Sequence, residues 1–199
     1  MERTRISKDE YYLGIAREVA KRAVCFRRVS GAIIVVGDVI VSTGYTGASR
    51  KVLDCFERGY CLRNRLGILS GQRYELCASV HAEQNVIINT GRAGASFLNG
   101  DMYIFGKSAT DDTPIDAFPC FICKKMIINT GIRRVICATR EGGFRVFLVE
   151  DWVKEWQDPR REITDEAVQY GQGLTGLDTG RQGTKRLEIE LVEDGDPSG

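Results

Sequence analysis

The sequence predicts a three-layer α/β domain. Three observations carry that prediction: an amphipathic helical pattern near the start, a pair of short apolar β-rich runs after it, and two further helices each followed by an apolar strand. Residues 8–24 set Leu13, Ala16, Val19, Ala20 and Ala23 at helical spacing. GAIIVVGDVIVSTGY then reads as a hairpin, with Gly37-Asp38 at its turn. Residues 46–78 hold many glycines and charges and three cysteines, and read as a long structured excursion.

Ser79 is placed to cap a helix running to Thr90, with Gly91 as its stop. DMYIF (101–105) is a strand, and the polar stretch GKSATDDTPIDAF leads from it to Pro119. A second helix covers 119–130 and ends at Gly131. Strands follow at 133–138 and 144–149, then a helical piece near 151–157. The two central helices share the ending IINTG, at 87–91 and 127–131. Either the two helices are structurally akin, or both use apolar packing before a glycine stop. The organisation expected is one domain over 1–157 and an acidic, Gly-rich C-terminal extension over 158–199. Its one β-like run, RLEIELVE, is an edge strand, a tail contact or disorder.

A chain of 199 residues is long enough to bury a core. The formal net charge is +1, but residues 158–199 carry five Lys/Arg and ten Asp/Glu, leaving a balance of +6 on the preceding 157 residues. A mildly basic body suits an anionic small molecule. It lacks the dense basic stripe of a dedicated nucleic-acid binder. No apolar run long enough to span a membrane is present, and the N-terminus has no apolar leader core, so a cytoplasmic location is expected. In that compartment the seven cysteines are thiols or metal ligands rather than disulfides.

His81 is the only histidine in the chain. FPCFICKK opens the second central helix, with Pro119 expected in its first turn. Cys120 and Cys123 are three residues apart and share a helix face, where the positive helix end favours thiolates. That spacing alone fits a redox pair, a structural knuckle or half of a tetrahedral zinc site. With His81 as third ligand, one tetrahedral position stays open for water, the pattern of a catalytic zinc. Zinc lowers the pKa of such a water towards about 7. Glu83, two residues beyond His81, leans towards the helix start and reaches the same pocket without ligating. It is the candidate proton shuttle.

The order H-x-E…P-C-x-x-C is the signature of zinc-dependent nucleobase deaminases. Together with CFRRVSGAIIV, STGYTG, DCFERGYCLRNRLGILSGQRYELC, VHAEQNVI and PCFICKKMIINTGIRRVI, it makes residues 8–138 resemble the deoxycytidylate (dCMP) deaminase family of the cytidine deaminase superfamily. The resemblance implies a cytidine-deaminase-like α/β/α fold around a five-stranded mixed sheet. It implies hydrolysis of a cytosine nucleotide, dCMP to dUMP plus ammonia, with a zinc-bound hydroxide adding at C4. By position, His81, Cys120 and Cys123 hold the zinc, and Glu83 protonates ring N3 and then the leaving amine. The backbone around Ala82 and Pro119 faces the base. Thr46 stands where the family usually has an asparagine that touches the sugar.

Cys25, Cys55, Cys61 and Cys77 fall where some members hold a second, structural zinc; the alternative is that they are small buried hydrophobes. Cys137 is expected in the core. Arg27, Arg28 and Arg140 are candidates to grip a phosphate, or are solvated surface arginines. Relatives commonly form homo-oligomers, dimers or hexamers, and respond to dCTP and dTTP. Two other readings compete: a deaminase of a base in tRNA or single-stranded DNA, and a non-catalytic zinc-containing nucleotide sensor. The modest positive charge argues against the first, and Glu83 against the second.

Overall fold

The structure, a computed structural model, describes residues 4–157; the 158–199 extension with RLEIELVE lies outside the described residues. Ser7 opens α1 (Lys8–Ala20) with a capping box. Its hydroxyl accepts from the Glu10 amide, and the Glu10 carboxylate accepts from the Ser7 amide. The helix ends at Ala20, short of the expected residue 24. The amides of Lys21, Arg22 and Ala23 bond three residues back instead of four, and the Val24 amide turns away to the Thr46 carbonyl.

The hairpin forms as expected from β1 (Arg28–Val36) and β2 (Val39–Tyr45). Gly37 (φ +55°) and Asp38 (φ +65°) are both left-handed, as a type I′ turn requires. The 46–78 excursion contains a two-residue strand β3 (Gly47–Ala48), one-turn helices α2 (Cys55–Arg58) and α3 (Leu62–Arg65), and a 3-10 turn at Tyr74–Leu76. It is fastened where β3 pairs with β4 (Ser79–Val80).

Because Ser79 is committed to β4, it does not cap the next helix, α4 (Ala82–Arg92). His81 takes that position, and its amide donates to Gln84 Oε1 at 3.1 Å. The expected stop, Gly91, lies inside α4. Gly94, at φ +66°, makes the left-handed turn beyond it. β5 (Asp101–Ser108) runs three residues past the expected end. α5 (Phe121–Thr130) has Cys120 as its cap, so Pro119 precedes the helix instead of entering its first turn. Gly131 (φ +75°) does end α5. The shared IINTG therefore does not play one role: its glycine caps α5 but is helical in α4. β6 (Arg134–Ala138), β7 (Phe144–Leu148) and α6 (Val149–Gln157) complete the described chain.

The sheet is five-stranded and mixed, in the order β2-β1-β5-β6-β7, with β5–β6 its parallel junction. Alternation along β1 and β5 sorts side chains to two faces. Ala32, Ile34, Met102 and Ile104 pack under α4, α5 and α6 with Val86, Ile127 and Trp152. Ile33, Val35 and Tyr103 pack under α1 with Tyr12, Leu13 and Ala16. Each such fully buried aliphatic is worth roughly 1.5–3 kcal/mol. Cys137 is fully buried in the first cluster, as expected. Two glycines set the helix–sheet spacing. A Cβ on Gly31 would meet the Ala16 carbonyl oxygen of α1 at 2.3 Å, and one on Gly44 would meet the Val86 amide nitrogen of α4 at 2.3 Å. No helix among the described residues is long and apolar enough to cross a membrane.

Candidate functional site

The parallel strands β5 and β6 end on one side of the sheet, where ligands of α/β sheets gather. Antiparallel β1 begins there, with Arg28 opposite Ser108. The polar segment after β5 folds back on it. Ser108 donates to the Thr113 carbonyl, Ile115 to the Gly106 carbonyl and Ala117 to the Ala138 carbonyl. This return path carries Phe118 and Cys120 to the sheet end. The N-termini of α4 and α5 arrive at the same place.

There the single histidine meets the Cys-x-x-C pair. His81 Nδ1 lies 3.5 Å from Cys120 Sγ and 3.5 Å from Cys123 Sγ, and the two sulfurs are 3.5 Å apart. A tetrahedral zinc with ordinary Zn–S and Zn–N bonds has ligand edges of about 3.6–3.8 Å. The donor set and its spacing therefore fit zinc. Among the described residues this is the one group of three His, Cys, Asp or Glu donors drawn within 4.8 Å of one another. Hydrogen bonding within the trio favours the thiolate of Cys120. The Cys123 thiol, with help from His81, holds Cys120 down to about 4, against the effect of burial. Donating that hydrogen bond pushes the Cys123 thiol up, and burial adds to it. Burial alone would lower His81, but its hydrogen bond to Cys120 and the Glu83 charge outweigh this and raise it.

Glu83 sits in the first turn of α4 and is only 7% exposed. Burial raises its carboxyl above the usual range, so a proton is held there more readily than on a surface glutamate. The Cys123 thiol also feels it as a hydrogen-bond partner, which places the carboxyl beside the trio.

The cleft in front of the trio is small, about 80 Å³, and opens to solvent. His81, Cys120, Glu83, Thr46, Arg27 and Arg28 all line it. Arg27 Nη1 donates to the Ile68 carbonyl at 2.9 Å, and Arg28 Nη2 to the Asp116 carbonyl at 3.2 Å. Arg140 does not line the cleft. Its Nε is engaged by Asp116 Oδ2 at 2.7 Å, which turns the guanidinium to the loop instead. Ala82 and Pro119 are buried and do not line it either; their neighbours His81, Glu83, Phe118 and Cys120 form the wall at those points.

The second cysteine group is gathered but open. Burial raises the Cys55 thiol, and Cys25, Cys61 and Cys77 lie close enough to raise it further. No three of these sulfurs come within 4.8 Å of one another. A closed tetrahedral zinc cage needs S···S edges of about 3.8 Å. Instead Cys25 Sγ accepts from the Arg27 amide, and Cys55 Sγ lies 3.9 Å from Ser79 Oγ. Tyr74 and Arg63 are among the cleft residues that the sequence reading did not single out. The Tyr74 ring packs edge-on against the His81 imidazole, centroids 4.8 Å apart, and Arg63 stands 4.8 Å over the same tyrosine. Both come from the excursion, whose cysteines announced structure but whose spacing does not say which side chains turn inward.

Comparison with known proteins agrees with this geometry. The sequence profile described as cytidine and deoxycytidylate deaminase zinc-binding region matches residues 6–139. The chain is 31% identical over 137 residues to a deoxycytidylate deaminase of Schizosaccharomyces pombe, and 32% over 132 residues to one of Saccharomyces cerevisiae. Those matches cover 69% and 66% of this chain but only 38% of each yeast protein, so the chain spans well under half the length of these two relatives. A deoxycytidylate deaminase of Mycobacterium phage D29 is 30% identical over 133 residues, covering 64% of this chain and 91% of the phage protein. The chain belongs to the cytidine and deoxycytidylate deaminase zinc-binding family.

Proposed function

We propose that the protein is a zinc-dependent hydrolytic deaminase of a cytosine nucleotide, converting dCMP and water to dUMP and ammonia. The observation that carries this reading is the His81–Cys120–Cys123 triangle with the buried Glu83 carboxyl beside it, at the floor of a cleft lined by arginines. Zinc held by the three donors would supply an acidified water, its pKa lowered towards about 7, as the nucleophile. Glu83, buried beside the trio, is placed to take up the proton that the attacking water would shed. It delivers that proton to ring N3, then takes the remaining proton from the hydroxyl added at C4 and passes it to the exocyclic amine, which leaves as ammonia. Its buried position suits it to hold a proton between those transfers. The walls beside Ala82 and Pro119 flank the base, and Thr46 stands at the sugar. Arg27 and Arg28 each keep guanidinium donors beyond the one carbonyl they bind, enough to meet a phosphate.

One zinc per chain belongs to this reading. The four-cysteine group is too widely spaced to be assigned a second. Assembly into a homo-oligomer is consistent with the exposed Ile88 on α4 and Ile122 on α5. The test is zinc content together with ammonia release from dCMP, dCTP, cytidine and deoxycytidine. Turnover of dCMP well above that of the nucleosides supports the proposal. Tight nucleotide binding with no turnover of any of them would replace it with a sensor.

A further inference from the structure

Tyr74, Ser79 and His81 form a wall between two cavities, because all three line both. On one side is the cleft, with Glu83 and Cys120; on the other is a groove of about 410 Å³, lined also by Arg73, Gln84 and Ile122. The imidazole that completes the trio is therefore approached from behind as well as from the cleft. In that wall the one large side chain besides His81 is Tyr74.

A metal-binding histidine is ordinarily held by a hydrogen bond from its other ring nitrogen to a carboxylate, a carbonyl or water. Among the described residues His81 has no such carboxylate or carbonyl partner; its ring bonds are to the two sulfurs. What meets the ring instead is Tyr74. The two centroids are 4.8 Å apart and the planes stand at 83°, the edge-on arrangement that aromatic pairs favour. The tyrosine also lies close enough to Cys120 and Cys123 for their charges to act on its hydroxyl, so it covers the trio and not the imidazole alone.

Tyr74 is itself held. The Arg63 guanidinium lies 4.8 Å from its ring centroid, and Arg63 is buried and tied to the Leu69 carbonyl at 3.0 Å. Arg73, just before it, has a left-handed backbone (φ +51°, ψ +48°), a conformation that a non-glycine residue keeps only where its surroundings enforce it. That turn starts the short 3-10 segment that carries Tyr74 into the wall.

We propose that Tyr74 is a positioning residue for the metal site: its ring keeps the His81 imidazole turned with Nδ1 towards the two sulfurs and closes the way from the outer groove to the metal. The inference rests on the reading of the trio as a zinc site. It gives the excursion a task in metal retention. A tyrosine that merely packs the excursion changes the stability of the metal-free and the loaded protein alike. One that holds His81 changes how fast the metal leaves and how much stability the metal adds.

The experiment takes the zinc-loaded native protein, Y74F and Y74A. It measures the rate of zinc release to excess chelator, and the melting temperature with and without zinc. Y74A should release zinc at least about tenfold faster than native, and the rise in melting temperature that zinc produces should shrink. Y74F keeps the ring and should stay within about twofold of native. If Y74A does not fold, Y74L, which fills the space without a flat ring, carries the same comparison. A native release rate in the variant that lacks the ring overturns the proposal, and so does a Y74F rate as fast as that variant's. A native protein that takes up no zinc at the trio overturns the underlying reading instead, before any variant is made.

Discussion

Three Gly→Ala substitutions separate what holds the fold from what holds the metal. Gly14 lies within α1, and a Cβ there meets nothing within 4 Å. G14A should therefore stabilise the protein by about 0.5–1 kcal/mol, through helix propensity and a less flexible unfolded chain. At Gly31 the added carbon would stand 2.3 Å from the Ala16 oxygen and 2.4 Å from the Ala20 nitrogen, both backbone atoms of α1. At Gly44 it would stand 2.3 Å from the Val86 nitrogen and 2.7 Å from the Ala82 oxygen of α4. Side chains can rotate away, but backbone cannot. Relief in both cases requires the helix to lift off the sheet by roughly 1 Å, and overpacking of this kind costs about 3 kcal/mol. For a chain of this size that is a fall of about 6–12 °C in melting temperature.

The two destabilised variants should then part company. α4 carries His81 and Glu83, whereas α1 contributes nothing to the trio. Metal–ligand distances tolerate only about 0.2 Å. G44A should therefore lose zinc to a chelator at least about tenfold faster than native, while G31A stays within about twofold. Thermal unfolding and chelator competition on the purified protein measure both quantities. Equal zinc loss in G31A and G44A would show that α4 is not what aims His81, and undamaged stability in both would refute the close-packing account.

Other outcomes follow from the same structure. Glu83→Ala should lower turnover about 10²–10⁴-fold while zinc content is unchanged, checked by ammonia release and metal analysis on one preparation. Cys120→Ser or Cys123→Ser should empty the metal site, whereas Cys55→Ser should leave about one zinc per chain, as in the native protein. Two zincs per native chain would mean that the four-cysteine group closes on a metal. Arg140→Ala should leave the KM for dCMP within about twofold, because its guanidinium serves Asp116 outside the cleft. Asp101→Ala, which removes the buried carboxylate shared by Arg133 and Arg134 and leaves Arg134 with Asp9 alone, should cost about 2 kcal/mol of stability without altering kcat.

What was legible in the sequence was whatever depends on local chemistry. The Gly37-Asp38 turn could be read because two consecutive left-handed residues restrict the choice of side chain. The trio could be read because a lone histidine and a Cys-x-x-C pair each open a helix. Long-range commitments were not legible. Ser79 has the chemistry of a cap, but β3 claims it. Gly91 resembles Gly131, yet α4 continues through it. Arg140 follows a strand at the favourable end of the sheet, yet Asp116, distant in sequence, occupies it. Arg63 lies in CLRNRLG among other arginines, and nothing local marks it as the one that is buried.

The segment between Ser108 and Ala117 has one further consequence. It leaves the sheet and rejoins it through backbone hydrogen bonds at fixed points, Ser108 to Thr113 and Ala117 to Ala138. Residues added or removed at its tip would alter the loop while the strands beneath and the sulfur-bearing helix beyond kept their alignment. Descent, or an engineer, can thus vary the surface beside Arg28, which the Asp116 carbonyl holds, without relearning how to assemble the reactive centre.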